Sequence, residues 1–244
     1  SLALKDVFFL ADLIVVGAPP IATGEVLRSL KMLADSSEHR PVITDLASIK
    51  GFVVEAMGDD CDYFVPGHPI AGSEHSGVAH ADETLFRGRE VILTPMTKTD
   101  PAAVEIVSAM WKLTGAYIRQ MAVEAHDAML AASSHMPHMV SYAMTKALEQ
   151  DASDPMVHGG GALRDMTRIA GSDPLMWADI AVTNRSALLD AIDQFEAEMQ
   201  VLRAMVDHGD AEAMKTYFAT CREHRRAHDS VLNPLLHRAT EETS

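Results

Sequence analysis

The 244-residue chain carries 35 Asp+Glu against 20 Lys+Arg, a formal charge of −15, so its surface repels phosphate backbones and anionic membranes and argues against nucleic-acid or membrane-surface roles. Hydrophobic residues at 48% and charged residues at 23% exclude disorder, and no apolar run approaches the ~20 residues of a membrane span. Two distant cysteines, Cys61 and Cys221, are too few for a disulfide scaffold and suit a reduced, cytoplasmic setting.

The chain opens with SLALKDVFFL, which lacks the basic and small-residue regions of a secretory signal and reads as the interior of a longer protein. Residues 12–17 (DLIVVG) form a short, continuously apolar run, the pattern of a parallel strand buried on both faces. Ala18-Pro19-Pro20 ends it, and Thr23 is placed to cap a helix that aligns Val26, Leu27, Leu30 and Leu33. Residues 41–45 are the next strand, and Ser48 is placed to cap a helix through Val53, Val54 and Met57. Strands follow at 63–65, 90–93 and 116–119, with an amphipathic helix over 101–113. This alternation predicts a Rossmann-like, doubly wound α/β sheet over residues 1–121. Beyond residue 121 the strands stop. Residues 122–150 predict a long helix kinked or restarted at Pro137. After a loop at 151–161 and a short helix at 163–169, Ser172-Asp173-Pro174 opens another helix. Apolar spacing through Leu188, Ile192, Phe195, Met199 and Leu202 completes an all-α region over 122–244.

Four segments could carry chemistry. The densest is 66–77 (PGHPIAGSEHSG), expected as a loop at the carboxyl end of a strand, where open α/β sheets place their ligands. His68, framed by Gly67 and Pro69, has the imidazole that accepts an alcohol proton at neutral pH; the plainer role is a pairing with a loop carbonyl. Residues 45–51 (DLASIKG) also end a strand, and Ser48 could orient an imidazole or meet a ligand while capping its helix. In 134–138 (SHMPH), His135 and His138 share one helical face. With no cysteine near to complete a ligand set, an anion contact is favoured over metal, and no metal site is expected. In 159–168 (GGGALRDMTR) the glycines precede a helix but are not GxGxxG, and Arg168 offers a planar fork to a carboxylate unless Asp165 claims it. Trp177 reads as core, and His224 and His228 as part of a solvated basic face.

Taken in order, DLASIKG, GHPIAGSE, SHMPH and the RDMTRIAGSDPLMW stretch closely resemble the prephenate/arogenate dehydrogenase family of tyrosine biosynthesis, over residues 12–232. The resemblance implies that His68 takes the proton of the substrate ring hydroxyl. It implies that Ser48 positions that histidine and touches substrate and nicotinamide, and that Arg168 binds a substrate carboxylate. Ser73 and Glu74 are then pocket residues, one of His135 and His138 is a pocket histidine, and Asp165 and Trp177 support the pocket. The helical half corresponds to a dimerisation domain, so a homodimer is expected. The cofactor implied is NAD, with NADP as the alternative, contacted here by Gly17, Ala18, Pro19, Thr23 and Ser48. The substrate is prephenate or arogenate, and tyrosine is a candidate feedback inhibitor. The family's first βαβ unit, with its GxGxxG turn and the acidic or basic residue that selects NAD or NADP, is absent from this sequence. Two other readings stay open: a β-hydroxyacid dehydrogenase, for which Lys146 would be the catalytic lysine, and a non-catalytic ligand-sensing dimerisation module.

Overall fold

The computed structural model describes residues 4–72 and 78–232. It begins with an element the sequence pattern did not announce, helix α1 (Leu4–Leu10), whose Phe8 is fully buried. His39 holds its end, with Nε2 3.1 Å from the carbonyls of both Phe8 and Ala11, so the last orphan acceptors of the helix find a donor from outside it. Strands β1 (Leu13–Val16), β2 (Val42–Asp45) and β3 (Phe64–Val65) pair in parallel in that order. Helices α2 (Pro20–Asp35) and α3 (Lys50–Met57) make the crossovers.

At Pro66 the chain changes partners. A proline has no N–H to extend a ladder, and the next three residues, β4 (Gly67–Pro69), pair antiparallel with β5 (Glu90–Leu93), placing His68 opposite Ile92. Helix α4 (Pro101–Leu113) then leads to β6 (Tyr117–Gln120), parallel to β5. His68 therefore lies on a strand and not in the expected loop. Three residues containing Gly and Pro carry no alternation signal, and only the pairing with β5 makes them a strand. One core packs Leu27, Leu30, Ile43, Val53, Met57 and Phe64 around Phe8, and a second packs Val65, Val91, Leu93, Val107 and Trp111. At ~1.5–3 kcal/mol for each fully buried large side chain, these clusters are the main favourable term holding the sheet and its helices together.

Two expected caps are corrected. Thr23 lies inside α2, fully buried, and its hydroxyl donates to Ala18 O at 2.9 Å, while the N-cap residue is Pro19. Ser48 precedes α3 without capping it; the N-cap residue is Ile49, and its side chain makes no capping bond. The cap comes from far along the chain, as described below.

The helical region begins with α5 (Val123–Leu130), passes through one π-helical turn (Ala131–His135) and continues as α6 (Met136–Glu149). Pro137 does restart the helix: the wider turn just before it accommodates a residue that cannot donate to the i−4 carbonyl. Then come α7 (Gly161–Thr167), a 3-10 turn (Arg168–Gly171) and α8 (Pro174–Thr183), which Asp173 caps by accepting from Met176 N at 2.9 Å. Ile49, Trp177 and Ile180 pack with Phe52, Met139 and Tyr142, so α3, α6 and α8 share a third core. Accordingly Ser1–Ala191 is one compact unit, and the α/β part and the first helices belong to it together. The second unit, Ile192–Ser244, holds most of α9 (Arg185–His208), α10 (Ala211–Ala227) and α11 (Asp229–Leu232). Within it Tyr217 OH donates to Glu198 Oε2 at 2.7 Å. None of the described side chains of α10 is buried.

Candidate active site

The site is built on a buried ion pair. Lys50, the first residue of α3, has no solvent exposure, and its Nζ donates to Asp45 Oδ2 and to Gly67 O, both at 2.5 Å. Asp45 also accepts from Ala47 N (2.9 Å) and Gly67 N (3.2 Å). Burial pushes the Lys50 pKa down, against the opposing pull of Asp45. One lysine thus ties the end of β2, the start of α3 and the strand bearing His68. Gly67 suits the close approach there, because a Cβ would come within 3.1 Å of Asp45 O and Thr44 Oγ1.

His68 is half-buried, and its Nδ1 lies 2.9 Å from Nε2 of His126, a fully buried residue of α5. Nδ1 of His126 lies 2.7 Å from Asp127 Oδ1. The Asp127 carboxylate in turn accepts the backbone N–H of Lys50 on Oδ1 and of Gly51 on Oδ2, both at 2.8 Å. Those are orphan donors at the start of α3, so Asp127 is the cap that Ser48 was expected to be, supplied from another helix. Burial alone would raise the Asp127 pKa; the hydrogen bonds from His126, Lys50 and Gly51 outweigh it and hold the carboxyl below its ordinary value. Gly51 lets the carboxylate approach, since a Cβ would lie 2.9 Å from Oδ2.

His68 is neutral at physiological pH. Burial, and then the nearby charge of Lys50 with the imidazoles of His126 and His135, drive its pKa well below 6.5. His135 is almost fully buried in the π-helical turn; its Nδ1 accepts from Asn184 Nδ2 at 3.1 Å, and the same amide nitrogen donates to Asp127 O at 3.0 Å. Burial, opposed by Asp127, takes the His135 pKa down to about 4. His138 points to other partners. It is stacked on Trp177 with ring centroids 3.4 Å apart, and its Nδ1 donates to Ser134 O at 2.9 Å. Its pKa is lowered first by burial, then by Arg168, against the pull of the Ser134 carbonyl. Of the pair left open by the sequence, His135 is the one electrostatically coupled to His68, and His138 the one beside Arg168.

Other expected residues fall at the margins. Arg168 is exposed at the start of the 3-10 turn, and Arg164 Nε pairs with Asp165 Oδ1 at 3.2 Å, both side chains exposed. Trp177 is core, buried between α3 and α6, with an indole N–H that has no partner among the described residues. Gly17 and Pro19 are exposed at the end of β1, Ala18 is half-buried and Thr23 is enclosed. Ser48 is half-buried in the bend before α3. Ser73 and Glu74 lie outside the described residues. Lys146 is exposed and paired with Glu149 at 2.6 Å, which removes the support for a β-hydroxyacid dehydrogenase lysine. Among the described residues no cluster of three His, Cys, Asp or Glu could hold a metal. His126 and Asp127 went unread in the sequence. A His-Asp pair in the first helix after the last strand is a weak signal, and its meaning depends on partners about 60 to 80 residues upstream.

Fold and site together define a Rossmann-like nucleotide-binding domain followed by a helical dimerisation domain. The family model described as the nucleotide-binding domain of prephenate dehydrogenase matches residues 5–120, and that described as its dimerization domain matches residues 122–220. The chain belongs to the prephenate dehydrogenase family. It is 38% identical over 218 residues to the prephenate dehydrogenase of Bacillus subtilis, covering 86% of this chain and 58% of that relative. It is 32% identical over 230 residues to the cyclohexadienyl dehydrogenase of Zymomonas mobilis, covering 92% and 78% respectively. The crystal structure of prephenate dehydrogenase from Aquifex aeolicus, in complex with hydroxyphenyl propionate and NAD+, superposes with a TM-score of 0.83 at 31% identity, over 93% of this chain and 80% of that one.

Proposed function

We propose that the protein oxidatively decarboxylates prephenate to 4-hydroxyphenylpyruvate with NAD as the hydride acceptor, a step of tyrosine biosynthesis. The observation that carries this reading is a neutral histidine, His68, held beside a strand junction of a nucleotide-binding domain by a lysine on one side and a His–Asp pair on the other. A neutral imidazole can take the ring hydroxyl proton of prephenate. As the O–H bond breaks, its electron pair forms the carbonyl and expels hydride from the same carbon. Cleavage of the bond to the ring carboxylate then releases carbon dioxide, its electron pair moves through the ring onto the carbonyl oxygen as the ring becomes aromatic, and that oxygen takes back a proton to give the product hydroxyl. Arg168 suits a substrate carboxylate by its planar fork, and His135, neutral with its remaining N–H on Nε2, offers an uncharged donor near His68.

The residues present fit the nicotinamide end of the cofactor. The end of β1 is short-chained and open at Gly17 and Pro19, and Ser48 is half-exposed in the bend that follows β2. Gly17, Ala18, Pro19 and Ser48 are the residues we assign to it; Thr23 shapes that turn through Ala18. Bound NAD would supply the hydride acceptor.

A homodimer accords with the exposed apolar residues Met199, Val206 and Phe218 of the second unit. Tyrosine resembles the product in ring hydroxyl and side-chain carboxylate and is proposed as a feedback ligand of the same site. A cytoplasmic setting fits two unpaired thiols and the absence, among the described residues, of any helix long and apolar enough to cross a membrane.

The test is to follow reduced-nicotinamide absorbance in the full-length protein with prephenate or arogenate, NAD or NADP, and with added tyrosine. Prephenate with NAD is expected to be the productive pair and tyrosine to slow it. Turnover of arogenate alone would reassign the substrate, and binding of prephenate or tyrosine without any dinucleotide binding would favour a sensor. His68→Asn is expected to lower kcat ~10²–10⁴-fold with the Michaelis constant for prephenate nearly unchanged. A variant retaining half of the wild-type kcat would remove His68 as the base.

A further inference from the structure

With His126 in its neutral form, the chain Asp127–His126–His68 has a direction that follows from valence. An ionised carboxylate only accepts hydrogen bonds, so Asp127 Oδ1 must receive the Nδ1 proton of His126 across 2.7 Å. In that form His126 has its lone pair on Nε2 and accepts from His68 across 2.9 Å. The proton of neutral His68 is therefore on Nδ1, and its lone pair is on Nε2, at the opposite edge of the ring. In water the neutral histidine side chain favours the other tautomer, which would present an N–H where a base needs a lone pair. We propose that Asp127 and His126 are positioning residues that fix His68 in the tautomer whose Nε2 takes the substrate proton. This inference rests on the reading of His68 as the base.

The same geometry gives the charge a place to go. When Nε2 gains the substrate proton, His68 becomes an imidazolium whose Nδ1–H donates to His126 and, through it, to the carboxylate. No further proton has to move, and the positive charge is stabilised along an aligned, buried chain in which hydrogen bonds reinforce one another. Lys50 opposes that charge, as His126 and His135 would if they were protonated, which leaves the carboxylate at the far end as the compensating element. Asp127 is anchored by the two N–H groups of α3 and by the partial positive charge of that helix start. The bend carrying Ser48 and the tautomer of His68 thus share one support. In a Ser-His-Asp triad the carboxylate that fixes the histidine tautomer is worth ~10⁴-fold in kcat; relayed through an extra imidazole, the expected effect is smaller.

The experiment combines kinetics with nitrogen NMR of ¹⁵N-histidine-labelled full-length protein, His68 being assigned by its loss in His68→Asn. In the wild type, His68 is expected to show a protonated Nδ1 and an unprotonated Nε2 at neutral pH. His126→Ala should lower kcat ~100-fold with the Michaelis constant changed less than about threefold, and should shift His68 toward the Nε2-protonated form. His126→Gln, whose amide oxygen can still accept from Nδ1, should recover about tenfold of that loss and restore the tautomer. A role confined to packing predicts neither the tautomer change nor the rescue. A wild-type His68 with unprotonated Nδ1 overturns the proposal without recourse to any variant, so it stays decidable even where a variant fails to fold. If His68→Asn loses activity while His126→Ala keeps wild-type kcat and tautomer, the relay falls and the base assignment stands. If His68→Asn remains active, the base assignment itself falls, and the relay with it.

Discussion

Arg168 shows how far a single residue can be read from its neighbours in sequence. Its fork and its spacing from Asp165 left two roles open, and Asp165 is paired with Arg164. Arg168 lies near enough to His138 to depress its pKa. If it grips a substrate carboxylate, Arg168→Ala should raise the Michaelis constant for prephenate ~10-fold or more, since a charge-assisted hydrogen bond contributes ~1.5–3 kcal/mol. Arg168→Lys should recover part of that, keeping charge but losing the fork. An unchanged Michaelis constant in both variants would return Arg168 to the surface. His135 gives a prediction of a different kind. Its folded pKa of about 4 lies below the ~6.5 of an unfolded histidine. As pH falls the unfolded chain binds that proton first, so stability is complete above pH ~6.5 and declines down to ~4, by about 3 kcal/mol for this one group. His68, shifted in the same direction, adds to the slope. Urea midpoints at pH 7 and pH 5 should show the decline, and His135→Gln should flatten it; an equally steep slope in that variant would place its origin elsewhere.

At the scale of elements, local pattern carried most of the fold and failed where a partner was remote. Helix α4 and strand β5 fall on the expected residues, since amphipathic spacing and a Pro-led N-terminus are local signals. Strand β4 and the cap of α3 were illegible for a common reason. Gly67–Pro69 is a strand only because β5 lies beside it, and α3 is capped only because Asp127 reaches it from α5. The histidine of GHP could be singled out from its Gly/Pro frame, whereas the pair that orients it could not. The glycine of DLASIKG acquires its reason in the same contact. Gly51→Ala would gain ~0.5–1 kcal/mol of helix propensity, but its Cβ would press on Asp127 Oδ2 at 2.9 Å. Overpacking at such a contact costs ~1–3 kcal/mol, and displacing the carboxylate also weakens the cap. The strain should win. Calorimetry is expected to show a melting temperature lower by a few degrees, with kcat reduced through His126; a variant as stable and active as the wild type would mean that the carboxylate can step aside.

For the molecule as a whole, the two compact units solve burial differently. The unit Ser1–Ala191 contains the three apolar cores found among the described residues, and the α/β part and the helices that follow it support one another through them. The other unit has too little to enclose. Along α9 only Leu188 and Ala191 are buried, both belonging to the first unit, and α10 buries nothing among its described residues. Met199 is 47% exposed and Phe218 55% exposed, yet both elements are long, regular helices. Helices in water are held chiefly by packing of an apolar face, since propensity alone leaves them marginal. A second copy of the chain, joined about a two-fold axis, is the commonest way to supply that packing. The protein is therefore expected to sediment as a dimer at micromolar concentration. Phe218→Asp with Met199→Asp should shift it toward monomer and lower the melting temperature, while the single change Leu175→Asp, at an exposed position on α8, should leave the mass unchanged. A wild-type protein that stays monomeric through this range, with α9 and α10 still helical by circular dichroism, would show that these two helices need no partner and would remove the homodimer from the proposed function.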